Sequence, residues 1–164
     1  DDSANTKFIQ EKIQRYKAIR TEQVNLTIKG REISLKNAYN INDSNNINAS
    51  DDSNSGSGGS GGEFKLLVID FSELCGKPLS SEDYHKIAEY FKVIILQNIP
   101  KFNKENSPEA IRFLKLIDAF YEANIKLICT ATSPIENLVE ENLTGEIAFA
   151  LPRTISRIKE MMAR

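Results

Sequence analysis

Three short apolar runs separated by helix patterns constrain the fold of this chain more than any other feature. The runs lie at residues 66–69, 93–96 and 125–129. Strands buried on both faces have such runs, and parallel strands need crossover connections that are usually helical. The order β-α-β-α-β-α therefore predicts an α/β fold in which a mostly parallel sheet is covered by helices.

Helix start and stop signals occur between these runs. Ser80 or Ser81 is expected to cap one helix, and the Ser-Pro-Glu sequence at 107–109 to begin the next, with its serine as N-cap. This second helix should end near Ala123, and Asn124 fits the left-handed position after its last turn.

The N-terminal part has a different pattern. Residues 7–20 carry apolar side chains at helical spacing, which predicts an amphipathic helix with Thr6 as a possible N-cap. Residues 24–28 and 33–35 alternate apolar and polar on either side of a Lys-Gly-Arg turn. This alternation predicts a β-hairpin.

Residues 37–63 separate these two patterns and are rich in Asn, Ser, Asp and Gly. Such a composition buries too little apolar surface to offset the entropy of ordering, and its Gly/Ser half is typical of a designed spacer. We interpret the range as a flexible insert or an engineered linker. It would join a helix and β-hairpin attachment at 1–36 to an α/β body with a C-terminal helix at 64–164.

Composition and charge exclude several classes. No apolar run approaches the roughly 18 residues of a membrane span, and a net charge of −2 gives no support for nucleic-acid binding. The chain has two cysteines, Cys75 and Cys129, each near an apolar run, which favours reduced thiols in a reducing compartment. Two cysteines and the single His85 are too few for a structural zinc site, so no metal is expected.

Three other polar residues are weak candidates. Asp70 ends the first strand of the body, where an open sheet presents a crevice, but local hydrogen bonding is the favoured interpretation. His85 is expected to be structural. Asp118 is expected to lie on the polar stripe of its helix or to pair with a cation such as Arg112 or Lys115, and pairing is the favoured interpretation. We assign no catalytic residue.

Arg153 and Arg157 are four residues apart on the last predicted helix, so their guanidinium groups project from one face and could hold a phosphate together. A solvated basic face is one alternative. A structural pair, with a guanidinium held against a carboxylate such as Asp118, is another. Pro152 is expected to begin this helix at Arg153. The chain contains no G-x-x-x-x-G-K-[ST] loop, so it cannot be a self-sufficient P-loop enzyme.

A family resemblance rests on motifs between residues 71 and 161. In order these are ELC-x-x-PL-x-x-x-DY, RF-x-x-LID-x-x-Y and RT-x-SR-x-x-EM, with an Ile-Pro after the second strand. They resemble the carboxy-terminal part of the ZapE-type ATPases of bacteria and their mitochondrial relatives, the "ATPase family gene" proteins. The upstream LTIKGREISLKNA is similar to a strand pair of that family.

The resemblance implies a fragment of an AAA+-like P-loop ATPase whose nucleotide-binding segments lie upstream. ATP and Mg would belong to the parent protein, and the fragment would be inactive alone. Partners would be protein substrates, sister subunits and the rest of the chain, in mitochondrial protein quality control or bacterial cell division. The location would be the mitochondrion or the bacterial cytoplasm.

The resemblance makes Arg153 and Arg157, and then Arg112, candidates for contact with a nucleotide that the missing part or a neighbouring subunit binds. A non-enzymatic protein-interaction domain on an α/β scaffold is the alternative. A G-x-x-x-x-G-K-[ST] sequence upstream of residue 1 would distinguish the two.

Overall fold

The computed structural model describes residues 2–16, 18–20, 23–42, 63–141 and 143–164, and most of the predicted insert lies outside these ranges. The helices are α1 (Asp2–Arg15), α2 (Phe71–Cys75), α3 (Ser81–Tyr90), α4 (Ser107–Glu122) and α5 (Glu146–Ala163), with a 3-10 turn at Ile135–Asn137. The strands are β1 (Ala18–Arg20), β2 (Val24–Ile28), β3 (Arg31–Leu35), β4 (Ala38–Asn42), β5 (Glu63–Asp70), β6 (Val93–Ile99) and β7 (Lys126–Ala131).

The central sheet has five strands in the order β1-β4-β5-β6-β7. The pairs β5/β6 and β6/β7 are parallel, as the three apolar runs predict, whereas β1/β4 and β4/β5 are antiparallel. Helices cover the sheet, so the α/β prediction is confirmed, and the sheet is mixed because β4 and β1 extend it on one side.

The two faces of the sheet belong to two separate cores. On one face, alternate residues such as Leu67, Ile94 and Leu127 pack with α2, α3, α4 and α5. On the other, their neighbours along the strands pack with Ile9 and Ile13 of α1. This alternation follows from the two-residue period of a strand, and it explains why the central residues of β5 and β6, at 66–69 and 93–96, are all apolar.

Strands β2 and β3 form the predicted hairpin as a separate two-stranded sheet. Lys29 and Gly30 both have positive φ, 49° and 78°, as a tight two-residue hairpin turn requires. The hairpin is held to α3 by ion pairs, Arg31–Asp83 at 2.6 Å and Lys29–Glu82 at 2.7 Å. Leu26 and Leu35 pack in the same core as α3.

The N-terminal prediction needs two corrections. Helix α1 begins at Asp2, so Thr6 lies inside it rather than capping it, and the helix ends at Arg15, before strand β1. The range interpreted as flexible also contains β4, so that interpretation is wrong at Ala38–Asn42. These residues pair with β5, a contact between distant segments that local composition does not reveal.

Helix α5 passes through Pro152 instead of beginning after it. Proline inside a helix removes one hydrogen bond and costs about 3 kcal/mol. Burial on both sides of the proline offsets this cost, since Ile147 before it and Ile158 and Met161 after it are 0–5% exposed. Tertiary packing therefore overrides the local signal.

The two ends of α4 confirm the prediction in part. The helix begins at Ser107 as predicted, but Asn106 occupies the N-cap position, so the prediction that the serine is the N-cap is wrong. Asn124 adopts φ 58°, which confirms the left-handed residue predicted after its end.

Candidate functional site

The two arginines of the predicted pair meet at one carboxylate between α4 and α5. Arg157 donates to Asp118 Oδ1, and its side chain is 28% exposed. Arg153 lies 3.8 Å from Asp118 Oδ2 and its side chain is 62% exposed. Asp118 therefore pairs across helices with the two arginines, as the structural alternative for them predicts, and not with Arg112 or Lys115 of its own helix.

A tyrosine completes this arginine cluster. The Tyr121 ring lies one turn from Asp118 and contacts two guanidinium groups, Arg157 at 4.8 Å and Arg164 at 5.0 Å from its centroid. Its hydroxyl donates to Glu160 at 2.9 Å, and this hydrogen bond raises the pKa of Tyr121. The ring and Asp118 together hold Arg157 in a defined orientation.

Arg112, the third candidate, makes contacts elsewhere in the fold. Its Nε donates to the Cys75 carbonyl oxygen at 2.7 Å, and a terminal nitrogen lies 3.8 Å from Glu109. The guanidinium thus satisfies a main-chain oxygen at the end of α2, where helix carbonyls lack partners within the helix. No contact joins Arg112 to the other two arginines in the described part of the chain.

Asp70 lies at the carboxyl edge of the parallel strands in a compact hydrogen-bonded group. Its carboxylate accepts from Asn98 Nδ2 at 2.7 Å, and from the Ser72 N–H and hydroxyl at 2.9 and 2.8 Å. Asn98 has φ 62°, and its N–H donates to Thr130 Oγ1 at 2.9 Å. Three adjacent strand ends are thereby tied together.

These hydrogen bonds determine the charge state of Asp70. Burial alone would raise the pKa of this carboxyl, but the bonds from Asn98 and Ser72 outweigh it and hold the pKa below its usual value. The carboxylate caps α2, which matches the favoured interpretation of local hydrogen bonding.

His85 lies apart from both groups. Its Nε2 is 3.8 Å from Glu122 of α4, and its side chain is 47% exposed. No group of three or more His, Cys, Asp or Glu able to hold a metal occurs among the described residues. No helix in the described ranges is long and apolar enough to cross a membrane.

Several residues of these groups have no strong signal in the sequence. Tyr121 has the spacing of a core residue, and its guanidinium partners are 36 or more positions away along the chain. The sequence gives only a weak indication of the positive φ of Asn98, because asparagine is enriched among residues with positive φ. Arg164 follows the last predicted helix and has none.

The residues present do not form a complete nucleotide site. Binding of a triphosphate in P-loop proteins requires a glycine-rich loop that ends in Lys, and the single glycine cluster of this chain, at 56–62, lacks one. The arginine cluster can at most reach a phosphate that other residues hold.

Comparison with known proteins identifies the class. The family model described as AFG1-like ATPase matches residues 60–164. The chain belongs to this family, and it is therefore a member of an ATPase family that uses nucleotide.

Alignments with individual relatives show what share of a family member's length this chain covers. The chain is 31% identical over 125 residues to lactation elevated protein 1 homolog B of Danio rerio, covering 58% of this chain and 25% of that protein. It is 30% identical over 103 residues to cell division protein ZapE of Escherichia coli, covering 63% of this chain and 27% of that protein. An uncharacterized protein of Schizosaccharomyces pombe is 37% identical over 116 residues, 56% of this chain and 26% of its own length. The chain thus spans about a quarter of the relatives it matches. No solved structure matches it.

Proposed function

We propose that this chain is the carboxy-terminal part of an ATPase that couples ATP hydrolysis to the handling of partner proteins. Membership of the AFG1-like ATPase family supports the nucleotide part of the proposal. The partner part rests on the resemblance to ZapE-type and mitochondrial proteins, which also implies mitochondrial protein quality control or a bacterial division role. The parent would bind ATP and Mg upstream, in the mitochondrion or the bacterial cytoplasm.

Within that function, Arg153 is the best candidate for contact with the nucleotide. It is the more exposed of the two arginines that pair with Asp118, and its 3.8 Å separation from the carboxylate leaves its donors largely available. A positioned guanidinium stabilises the charge that develops on a transferring phosphoryl group. Arg157 and Asp118 would orient it, and Arg112, which already serves Cys75, is the weakest candidate.

The test uses the intact protein that contains this chain. We expect Arg153→Ala to lower ATP turnover by at least about tenfold without changing the melting temperature, since an exposed arginine contributes little to stability. Lys159→Ala is the matched control, because Lys159 is an exposed cation on the same helix that pairs with Glu136 at 2.8 Å. Normal turnover in a folded Arg153→Ala variant would eliminate the nucleotide role of Arg153.

The isolated chain is expected to lack ATPase activity. The proposal assigns every phosphate-binding loop to the missing part, so calorimetric titration of the 164-residue chain with ATP should detect no tight binding. A micromolar dissociation constant would contradict this, because it corresponds to about 8 kcal/mol of binding that no motif here explains.

A non-enzymatic protein-interaction domain is the second candidate. Phe149 on α5 is a large apolar side chain that is 90% exposed, so it is available for contact with a partner. The upstream sequence distinguishes the two functions, since a parent without G-x-x-x-x-G-K-[ST] would be a binding module.

A further inference from the structure

A groove of about 550 Å³ lies beside the two-stranded sheet, between strand β3, the end of β5 and helix α2. Every residue from 31 to 36 lines it. Successive side chains of a strand point to opposite faces of the sheet, so consecutive residues can all line one groove only where it follows the edge of the strand. The groove therefore runs along the edge of β3.

This edge lies opposite β2, which is the single strand that pairs with β3 in the described part of the chain. Asn37, just after β3, accepts from the Val68 N–H of β5 at 2.9 Å. Strand β5 then ends at Asp70 and the chain turns into α2, so no strand continues beside β3 in the described ranges. The groove thus lies where a third strand would pair.

The two-residue hairpin turn determines which main-chain groups of β3 point into the groove. Ile28 lies directly opposite Arg31 across this turn, so these two residues exchange main-chain hydrogen bonds. The direction of the main-chain groups alternates along a strand. The N–H and C=O groups of Glu32 and Ser34 therefore point away from β2, toward the groove.

These main-chain groups are available for pairing. Glu32 and Ser34 are both exposed, and within the described residues no other segment makes a hydrogen bond to the main chain of either one. The Ser34 hydroxyl donates to Asn25 Oδ1 at 3.0 Å, which occupies the side chain only. An unpaired strand edge of this kind can take up another extended segment.

The side chains around the groove define the segment that would fit. Ile33, Pro78 and Leu79 are exposed or half-buried and provide apolar surface. The charged side chains have both signs and are Arg31, Glu32, Lys36, Glu73 and Lys77. A segment that alternates apolar and polar residues would place one face against the apolar surface and the other toward solvent, and it would need no net charge.

We propose that the β3 edge binds an extended segment of a partner protein, with alternating apolar and polar residues, which adds as a third strand beside β3. The inference rests on the proposed handling of partner proteins and names the conformation and chemistry of the partner. Its test measures binding without nucleotide. Failure of the ATPase proposal would therefore leave the binding result unchanged, and failure to bind would leave the ATPase proposal unchanged.

The probe is a peptide with blocked ends in which valine alternates with lysine and glutamate in turn, so that it has no net charge. It is titrated into the isotope-labelled 164-residue chain while the main-chain N–H signals are followed by nuclear magnetic resonance. We expect a dissociation constant below roughly 1 mM that changes little with added salt. Hydrogen exchange at Glu32 and Ser34 should slow at least about fivefold, because their N–H groups gain acceptors.

A modified peptide and a pair of variants identify main-chain pairing. The same peptide N-methylated on its backbone nitrogens keeps every side chain but loses its donors, so it should bind at least about tenfold more weakly. Ser34→Pro removes an N–H that makes no bond to β2, at an edge where proline is tolerated, and should weaken binding at least about fivefold. Ser34→Ala is the matched control, since it loses the same bond to Asn25 but keeps the N–H, and it should stay within about twofold.

Thermal melting checks that each variant is folded, and the N-methylated peptide decides the question if Ser34→Pro is not. Absence of binding, or equal binding of the N-methylated peptide, would overturn the proposal, because strand addition requires main-chain hydrogen bonds. An equal loss in Ser34→Ala and Ser34→Pro would assign the effect to the side chain and also refute it. Binding to the 164-residue chain but not to the intact parent protein would show that the rest of the parent covers the groove.

Discussion

Replacing Arg157 by alanine should destabilise the fold more than replacing Arg153, although both arginines pair with Asp118. The Arg157 side chain is 28% exposed and Asp118 38%, so this pair lies between a surface pair and a buried one. A surface pair contributes up to about 1 kcal/mol, and breaking a buried pair costs about 3–5 kcal/mol. Because both side chains are partly exposed, we use the upper end of the range for surface pairs and assign a contribution of about 1 kcal/mol to the Arg157–Asp118 pair.

The stacking on Tyr121 adds to this loss. The guanidinium lies 4.8 Å from the ring centroid, and such a contact contributes about 0.5–1 kcal/mol. The total for Arg157→Ala is about 2 kcal/mol, which corresponds to a fall of about 4–8 °C in melting temperature for a chain of this size. Arg153 is 62% exposed with a 3.8 Å pair, so Arg153→Ala should cost no more than about 0.5 kcal/mol.

Thermal unfolding followed by circular dichroism measures both losses. Arg157→Lys is the informative control, because it keeps the charge but loses the planar stacking group, and it should recover only part of the stability. A double-mutant cycle with Asp118→Asn should give a coupling energy of about 1 kcal/mol. Equal losses in the two arginine variants, or no coupling, would refute the assignment of Arg157 as the interhelical contact.

Three further predictions concern other parts of the fold. Burial would raise the pKa of Asp83, but the hydrogen bonds from Ser80 and Arg31 outweigh this effect and lower the pKa below 3.8. The ionised Asp83 therefore stabilises the fold above that pH, and the stabilisation is lost as the pH falls through the folded pKa. Asp83→Asn should therefore be less stable in urea at pH 7, and a gap to the native chain that does not narrow in acid would contradict this. Burial raises the pKa of Cys75 to about 12 and that of Cys129 to about 11. At pH 8 both thiols should therefore react with a disulfide reagent much more slowly in the folded chain than in urea. Equal rates would show that burial does not protect them. A Cβ at Gly76 would overlap the Ser72 carbonyl oxygen, so Gly76→Ala should lower stability by roughly 1–3 kcal/mol in a denaturant titration, and an unchanged midpoint would show that the end of α2 can shift.

The candidate site could be predicted only in part. Helical spacing is sufficient to place Arg153 and Arg157 on one face, because residues four apart are neighbours on any helix. It offers Asp118 only as one carboxylate that could hold them, because Asp118 precedes Arg157 by 39 positions and meets it only after α4 and α5 pack. The same holds for the stacking on Tyr121, whose guanidinium partners belong to the end of the chain and not to α4.

For the fold, the sequence alone determined whatever depends on neighbouring residues. The three buried strands, the hairpin turn at Lys29 and Gly30, and the left-handed Asn124 follow from side-chain period and backbone sterics, which act within a few residues. Tertiary structure decided the rest. Strand β4 forms because β5 provides hydrogen-bonding partners for it, and α5 continues through Pro152 because its apolar face is buried on both sides. In both cases the free energy of contacts between distant segments exceeds the local preference, and no short stretch of sequence contains that information.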